Sequence, residues 1–148
     1  MYAHKIILGI ATTALLGSCS MMMGHSMTYT FKHNANAADA GAMGKAVAST
    51  KDGMVSTTLT LSGLTPSKAY IAHYHAFGPD SSMDACASNG PVTLGFPGFM
   101  SDASGNATVM VSGDMAKIAG DMGAYINVHY ASDPSVVPIC AAVKMTKG

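Results

Sequence analysis

Between Met54 and Ser62 the chain alternates with a period of two. Val55, Thr57, Leu59 and Leu61 fall on one side, and Ser56, Thr58, Thr60 and Ser62 on the other. Side chains two apart share a face in a strand and not in a helix, so this stretch reads as a half-buried strand of an antiparallel sheet. The Asp52-Gly53 pair just before it is a hairpin signal, which makes Lys45–Thr50 the other arm. Met27–His33, Ala107–Ser112, Tyr125–Tyr130 and Ile139–Met145 carry similar strand-like patterns, divided by turn-rich segments such as Gly63–Ser67 and Ser101–Asn106. Asn34–Gly44 and Gly78–Gly98 read as loops, the second long enough to need pinning or a function. Asp114–Asp121 predicts a short helix with Met115, Ile118 and Ala119 inward. The expected fold is all-β, a Greek-key barrel or sandwich of about seven or eight antiparallel strands.

Composition narrows the function classes. With 148 residues, 49% of them hydrophobic, the chain suits one domain with one core. All eight cations are Lys and all eight acids are Asp, for a formal net charge of zero. Nothing here suggests a nucleic-acid partner. The Asp residues lie scattered among turn formers, and neither a phosphate loop nor a Gly-x-Ser-x-Gly nucleophile turn occurs.

The N-terminus reads as a targeting segment. His4 and Lys5 precede an apolar run, Ile6–Leu16, that is too short to span a bilayer. The run ends in Leu16-Gly17-Ser18-Cys19, which resembles a bacterial lipobox; an ordinary signal peptide with a chance Cys is the plainer alternative. The expected organisation is a lipoprotein signal peptide over 1–18, a Met-rich tether over 19–26 and a β-domain over 27–148. Lipidation at Cys19 would place the protein in the cell envelope, membrane-anchored on the extracytoplasmic or periplasmic side. Cys86 and Cys140 then remain as an even pair, which reads as a disulfide in an oxidising compartment. The competing role, as metal-binding thiolates, lacks the close Cys-x-x-Cys spacing of such sites.

The chemistry concentrates in Ala69–Gly78, an aromatic and β-branched run containing His73-Tyr74-His75. On a strand the two imidazoles project from one face. His129, in the strand-like Ala124–Tyr130, is the candidate third donor. Three imidazoles with an open position suit zinc as readily as copper. Two considerations favour one copper ion: the Irving–Williams order, and soft thioethers near the N-terminus at Met21, Met22, Met23 and Met27, with His25 among them. The plainer reading of these methionines is a tether plus gap-fillers. A copper donor or acceptor protein is the expected partner.

Several of these motifs, taken in order, resemble copper–zinc superoxide dismutase from about Met54 to Val143. Ser62-Gly63-Leu64-Thr65 is similar to the turn before that family's His-x-His. His73-Tyr74-His75-Ala76-Phe77-Gly78 resembles the segment holding its first two copper ligands, and Cys86-Ala87-Ser88-Asn89-Gly90-Pro91 resembles its disulfide loop. Asn127-Val128-His129 resembles the segment with the last copper ligand, with Asp133 as the outer-shell carboxylate and Cys140 as the partner of Cys86. The resemblance implies a Greek-key barrel and a copper site. The chain is also similar to the chordin-like CHRD domain, a β-fold with a Gly-Leu-Thr-Pro turn and a C-terminal Val-His. Departures from the dismutase pattern matter for activity. Val92 stands where that family has its bridging His, no His lies between His75 and His129, and Val137 replaces the active-site Arg. No zinc is therefore expected, and dismutation is expected to be weak or absent. The expected function is copper binding or handling in the envelope, with a copper-only superoxide dismutase as the alternative.

Overall fold

The computed structural model describes residues 24–35, 38–78, 84–87 and 90–145. The expected signal peptide, Cys19 and Met21–Met23 lie outside them. Two antiparallel sheets pack face to face. The first has the strand order β1 (His25–Thr30), β3 (Met43–Lys51), β4 (Met54–Ser62), β8 (Ala107–Asp114). The second runs β2 (Lys32–His33), β10 (Ile139–Val143), β9 (Ala124–Tyr130), β5 (Ala69–Ala76), β6 (Val92–Gly95), with β7 (Phe99–Met100) pairing β5. Of the two expected architectures, the sandwich forms. The sheets do not close into a barrel.

Local chemistry explains the layout. Asp52 and Gly53 both adopt positive φ, 51° and 75°, the conformation a two-residue hairpin turn requires, and they join β3 to β4. On β4 the alternation is realised: Val55, Thr57, Leu59 and Leu61 are buried. They face Tyr74, Ile126, Val128 and Ile139 of the second sheet, and a Thr57 Oγ1–Tyr74 hydroxyl hydrogen bond of 2.7 Å crosses the core. Burial raises the Tyr74 hydroxyl to about 12, so it stays protonated within that bond.

Three expectations needed revision in detail. Met27–His33 is not one strand. It leaves the first sheet after Thr30, buries Phe31 and enters the second sheet as β2. The long Gly78–Gly98 loop contains β6, a short strand that Pro and Gly neighbours disguise. The expected helix is a single turn, α1 (Met115–Ile118), capped by the Asp114 carboxylate, which accepts from the Ala116 N–H at 3.0 Å. Ile118 and Ala119 are buried as expected, while Met115 is partly exposed.

One loop residue steadies the end of β9. Asp39, at φ 60°, accepts hydrogen bonds from the hydroxyls of Tyr70 at 2.6 Å and Tyr130 at 3.0 Å, and from Thr65. Tyr130 adjoins His129, so this latch fixes the strand where the third histidine sits.

Candidate metal centre

β5 and β9 are adjacent and antiparallel, with Ile71 opposite His129, His73 opposite Asn127 and His75 opposite Tyr125. Tyr70, Ala72 and Tyr74 on β5, with Ala124, Ile126 and Val128 on β9, point into the main core. By alternation His73, His75, Tyr125, Asn127 and His129 point the other way, onto the outward face of the second sheet. That face is buried too. Phe77, Ala85, Tyr125 and Cys140 form a second, smaller core against it, flanked by Cys86. The Cys86–Cys140 disulfide holds the covering loop down, with its Cα atoms 5.3 Å apart, and it settles the cysteine role in favour of the bridge. The Asn127 amide nitrogen, oriented toward the loop, donates to the Ala85 carbonyl at 3.1 Å.

The three imidazoles converge. Ring centroids are 5.3 Å apart for His73–His129 and 6.0 Å for both His73–His75 and His75–His129. One ring nitrogen from each lies within 4.8 Å of the others. Metal–nitrogen bonds of about 2.0–2.1 Å set donors roughly 3.4 Å apart in a tetrahedral site, so ring rotations of about an ångström complete the closure.

Hydrogen bonding presets two of the rings. His75 Nδ1 meets the Gly90 carbonyl at 2.9 Å, and His129 Nδ1 meets the Pro134 carbonyl at 2.7 Å. A carbonyl only accepts, so both Nδ1 atoms carry the proton and both Nε2 atoms carry a lone pair. Those two Nε2 atoms are buried and have no hydrogen-bond partner among the described residues. Buried polar atoms are seldom left so, and a bound cation satisfies both at once. The donor set therefore fits a metal ion.

Electrostatics agree. Burial lowers the His73 pKa, and the neighbouring His75 lowers it further. Burial also lowers His75, partly offset by its bond to Gly90. His129 is lowered by burial and by the other two rings, against the raising effect of Pro134. All three are thus held in the neutral form that binds metal. His75 and His129 are 9% and 7% exposed, whereas His73 is more open, so access is on the His73 side.

Other expected residues fall elsewhere. The outer-shell contact expected of Asp133 is made by the Pro134 carbonyl. The exposed Asp133 carboxylate instead accepts from the Ser135 N–H at 3.1 Å and hydroxyl at 2.6 Å, closing its own turn. His25 and Met27 lie on β1 of the other sheet, outside the three-histidine group. Residue-type reasoning missed Gly90 and Tyr125. A Cβ on Gly90 would come within 1.9 Å of the Ala76 carbonyl oxygen, so only glycine brings this carbonyl up to His75. The Tyr125 ring stacks on His75 with centroids 4.8 Å apart and planes 10° from parallel. Its placement was readable, because Tyr125, Asn127 and His129 are spaced two apart. A bulge between Tyr74 and His75 in the β5–β6 pairing adjusts the approach of β6 beside the site.

A comparison with curated proteins finds no match. Among protein families, the CHRD domain matches residues 26–136, about three quarters of the sequence. The match spans β1 to beyond His129, includes all three histidines and stops before β10. It gives no support to the dismutase resemblance and favours the other label that the Gly-Leu-Thr-Pro turn and Val-His pair suggested. By this match, the chain belongs to the CHRD domain family.

Proposed function

We propose that the protein binds one copper ion through His73, His75 and His129 and serves copper handling in the cell envelope. The observation that carries the metal reading is the pair of buried Nε2 atoms at His75 and His129, each left without a partner while its Nδ1 is tied to a carbonyl. The group of three contains nitrogen donors alone, with no carboxylate or thiolate. Neutral imidazoles of this kind suit copper, which outranks zinc at equal geometry. Copper held there supplies a one-electron couple, and three donors match the low coordination that Cu(I) accepts. The lipobox-like segment ending at Cys19 supports the envelope location and the lipid anchor, and a copper donor or acceptor protein is the proposed partner. Met21–Met23, His25 and Met27 supply soft donors for exchange.

Metal analysis and copper titration of the protein from its native compartment test this reading. At the three-histidine site one equivalent of copper is expected in the wild type and none in His73→Ala or His129→Ala. Stoichiometric zinc in the wild type would overturn the choice of metal.

The partly exposed His73 side of the site favours a second reading, a copper-only superoxide dismutase, because a small substrate can approach there. Against it, Val92 and Val137 stand where the resembled enzymes place the bridging His and the Arg. A dismutation rate per bound copper near the diffusion limit would establish the enzyme instead.

A further inference from the structure

We propose a second, separate site for a soft monovalent cation, Cu(I), at the open seam between the two sheets. β1 is the edge of the first sheet, and β2 covers only the Ile139–Cys140 end of β10, so the rest of β10 also borders an edge. Among the described residues, the Tyr29 hydroxyl ties the seam by donating to the Lys144 carbonyl at 3.0 Å. A pocket of about 200 Å³ opens there, and its lining includes His25, Met27, Tyr29, Met115, Lys144 and Met145.

These residues converge from three parts of the chain. His25 and Met27 are two apart on β1, opposite Thr50 and Ala48, and therefore share a face. Met115 comes from α1, and Met145 follows β10. Met145 is only 6% exposed, while Met27 is 49% exposed at the mouth. The lining offers one imidazole and three thioethers, with no carboxylate and no thiolate. Hard cations require oxygen donors and structural zinc prefers thiolate and imidazole, so this set selects a soft ion of low charge. The Lys144 side chain is exposed, which leaves its ammonium solvated rather than buried against the ion. The Tyr29 hydroxyl, its proton directed at the Lys144 carbonyl, lies 3.3 Å from Met27 Sδ beside the pocket. The ordinary role of methionine is to fill gaps in a core. Met145 and Met115 do pack with the core, but Met27 is 49% exposed at the same pocket and fills no gap.

The site shares no residue with the three-histidine group, so each can fail alone. The test uses the intact protein with ¹³C-methyl methionine, titrated with Ag(I) as the non-oxidisable stand-in for Cu(I). The methyl resonances of Met27, Met115 and Met145 are expected to shift together as the site fills. The same shifts are expected in His73→Ala/His129→Ala, which removes the other centre. The near-isosteric Met27→Leu/Met115→Leu/Met145→Leu variant is expected to bind one equivalent fewer. Shifts confined to Met21–Met23, unmoved pocket methyls, or an unchanged silver count in the leucine variant would each overturn the proposal.

Discussion

The two sheets share one core but turn very different faces away from it. On the first sheet the outward positions form rows of hydroxyl side chains. Ser26, Ser49, Ser56 and Ser112 lie side by side across four strands, with Thr28, Thr58, Thr60 and Thr108 in the rows beside them. The serines are exposed and bond to one another, Ser49 to Ser26 at 3.2 Å and Ser56 to Ser112 at 2.6 Å. On the second sheet the outward positions of β5 and β9 carry His73, His75, Tyr125, Asn127 and His129, and residues of a disulfide-held loop pack against Tyr125. β4 alternates, whereas six of the seven residues of β9 are buried. A strand buried on both faces in an antiparallel sheet means that something covers its outer side, and polar residues kept under such a cover need partners. In β9 those partners are loop carbonyls and, by our reading, a metal ion.

The contrast is open to direct attack by substitution. Tyr125→Ala empties the small second core and removes the ring stacked on His75. It is expected to destabilise the fold by about 3–5 kcal/mol, measured by denaturant unfolding, because the site lies under the loop and cannot collapse freely. Cys86→Ala with Cys140→Ala opens a bridge spanning 54 residues, with an expected loss of about 4 kcal/mol in the chain-entropy description. That variant is also expected to bind metal more weakly, since the loop carries Gly90. Gly90→Ala leaves the ligands intact but pushes the carbonyl away from His75 Nδ1. A fall of about 10- to 100-fold in metal affinity is expected from competition titration, as for other disturbed outer-shell contacts. Ser56→Ala on the exposed face is expected to change stability by less than about 0.5 kcal/mol. A large loss there would mean that the first sheet's outer face is also structurally committed.

Acid gives a further contrast. The three site histidines have lowered folded pKa values, so the unfolded chain takes up protons first as the pH falls past the ordinary imidazole value of about 6.5. Stability of the metal-free protein is therefore complete above that point. It is lost as the pH drops through the lowered folded values. Thermal unfolding between pH 7 and pH 5 checks this, and the slope should shrink in His75→Ala/His129→Ala. An unchanged slope in that variant would place the acid sensitivity elsewhere.

How far the sequence foretold this molecule depended on where the information resides. The β3–β4 hairpin was legible because Asp52-Gly53 and the strict alternation of β4 act locally. The pairing of His73 and His75 followed from strand geometry alone, and His129 from its setting in a second strand-like run. The change of sheet at Phe31 was not legible, because alternation continues smoothly through it. Short β6 and β7 lie among Pro and Gly and are defined by pairing with β5 rather than by their own composition. The Pro134 carbonyl that holds His129 leaves no side-chain signature at all, and Asp133 stood in its place only because the dismutase resemblance implied it. Burial of the two free Nε2 atoms is likewise a tertiary property. It depends on the loop folding over the sheet.

The tautomers and the unshared lone pairs can be observed together. Long-range ¹H–¹⁵N spectra of the metal-free protein should show His75 and His129 protonated at Nδ1. Addition of Cu(I) should then move the Nε2 resonances of His75 and His129, and one ring-nitrogen resonance of His73, in concert. Copper binding that leaves those three nitrogens unmoved, or Nε2-protonated rings at His75 and His129, would contradict a metal centre on this face of the sheet.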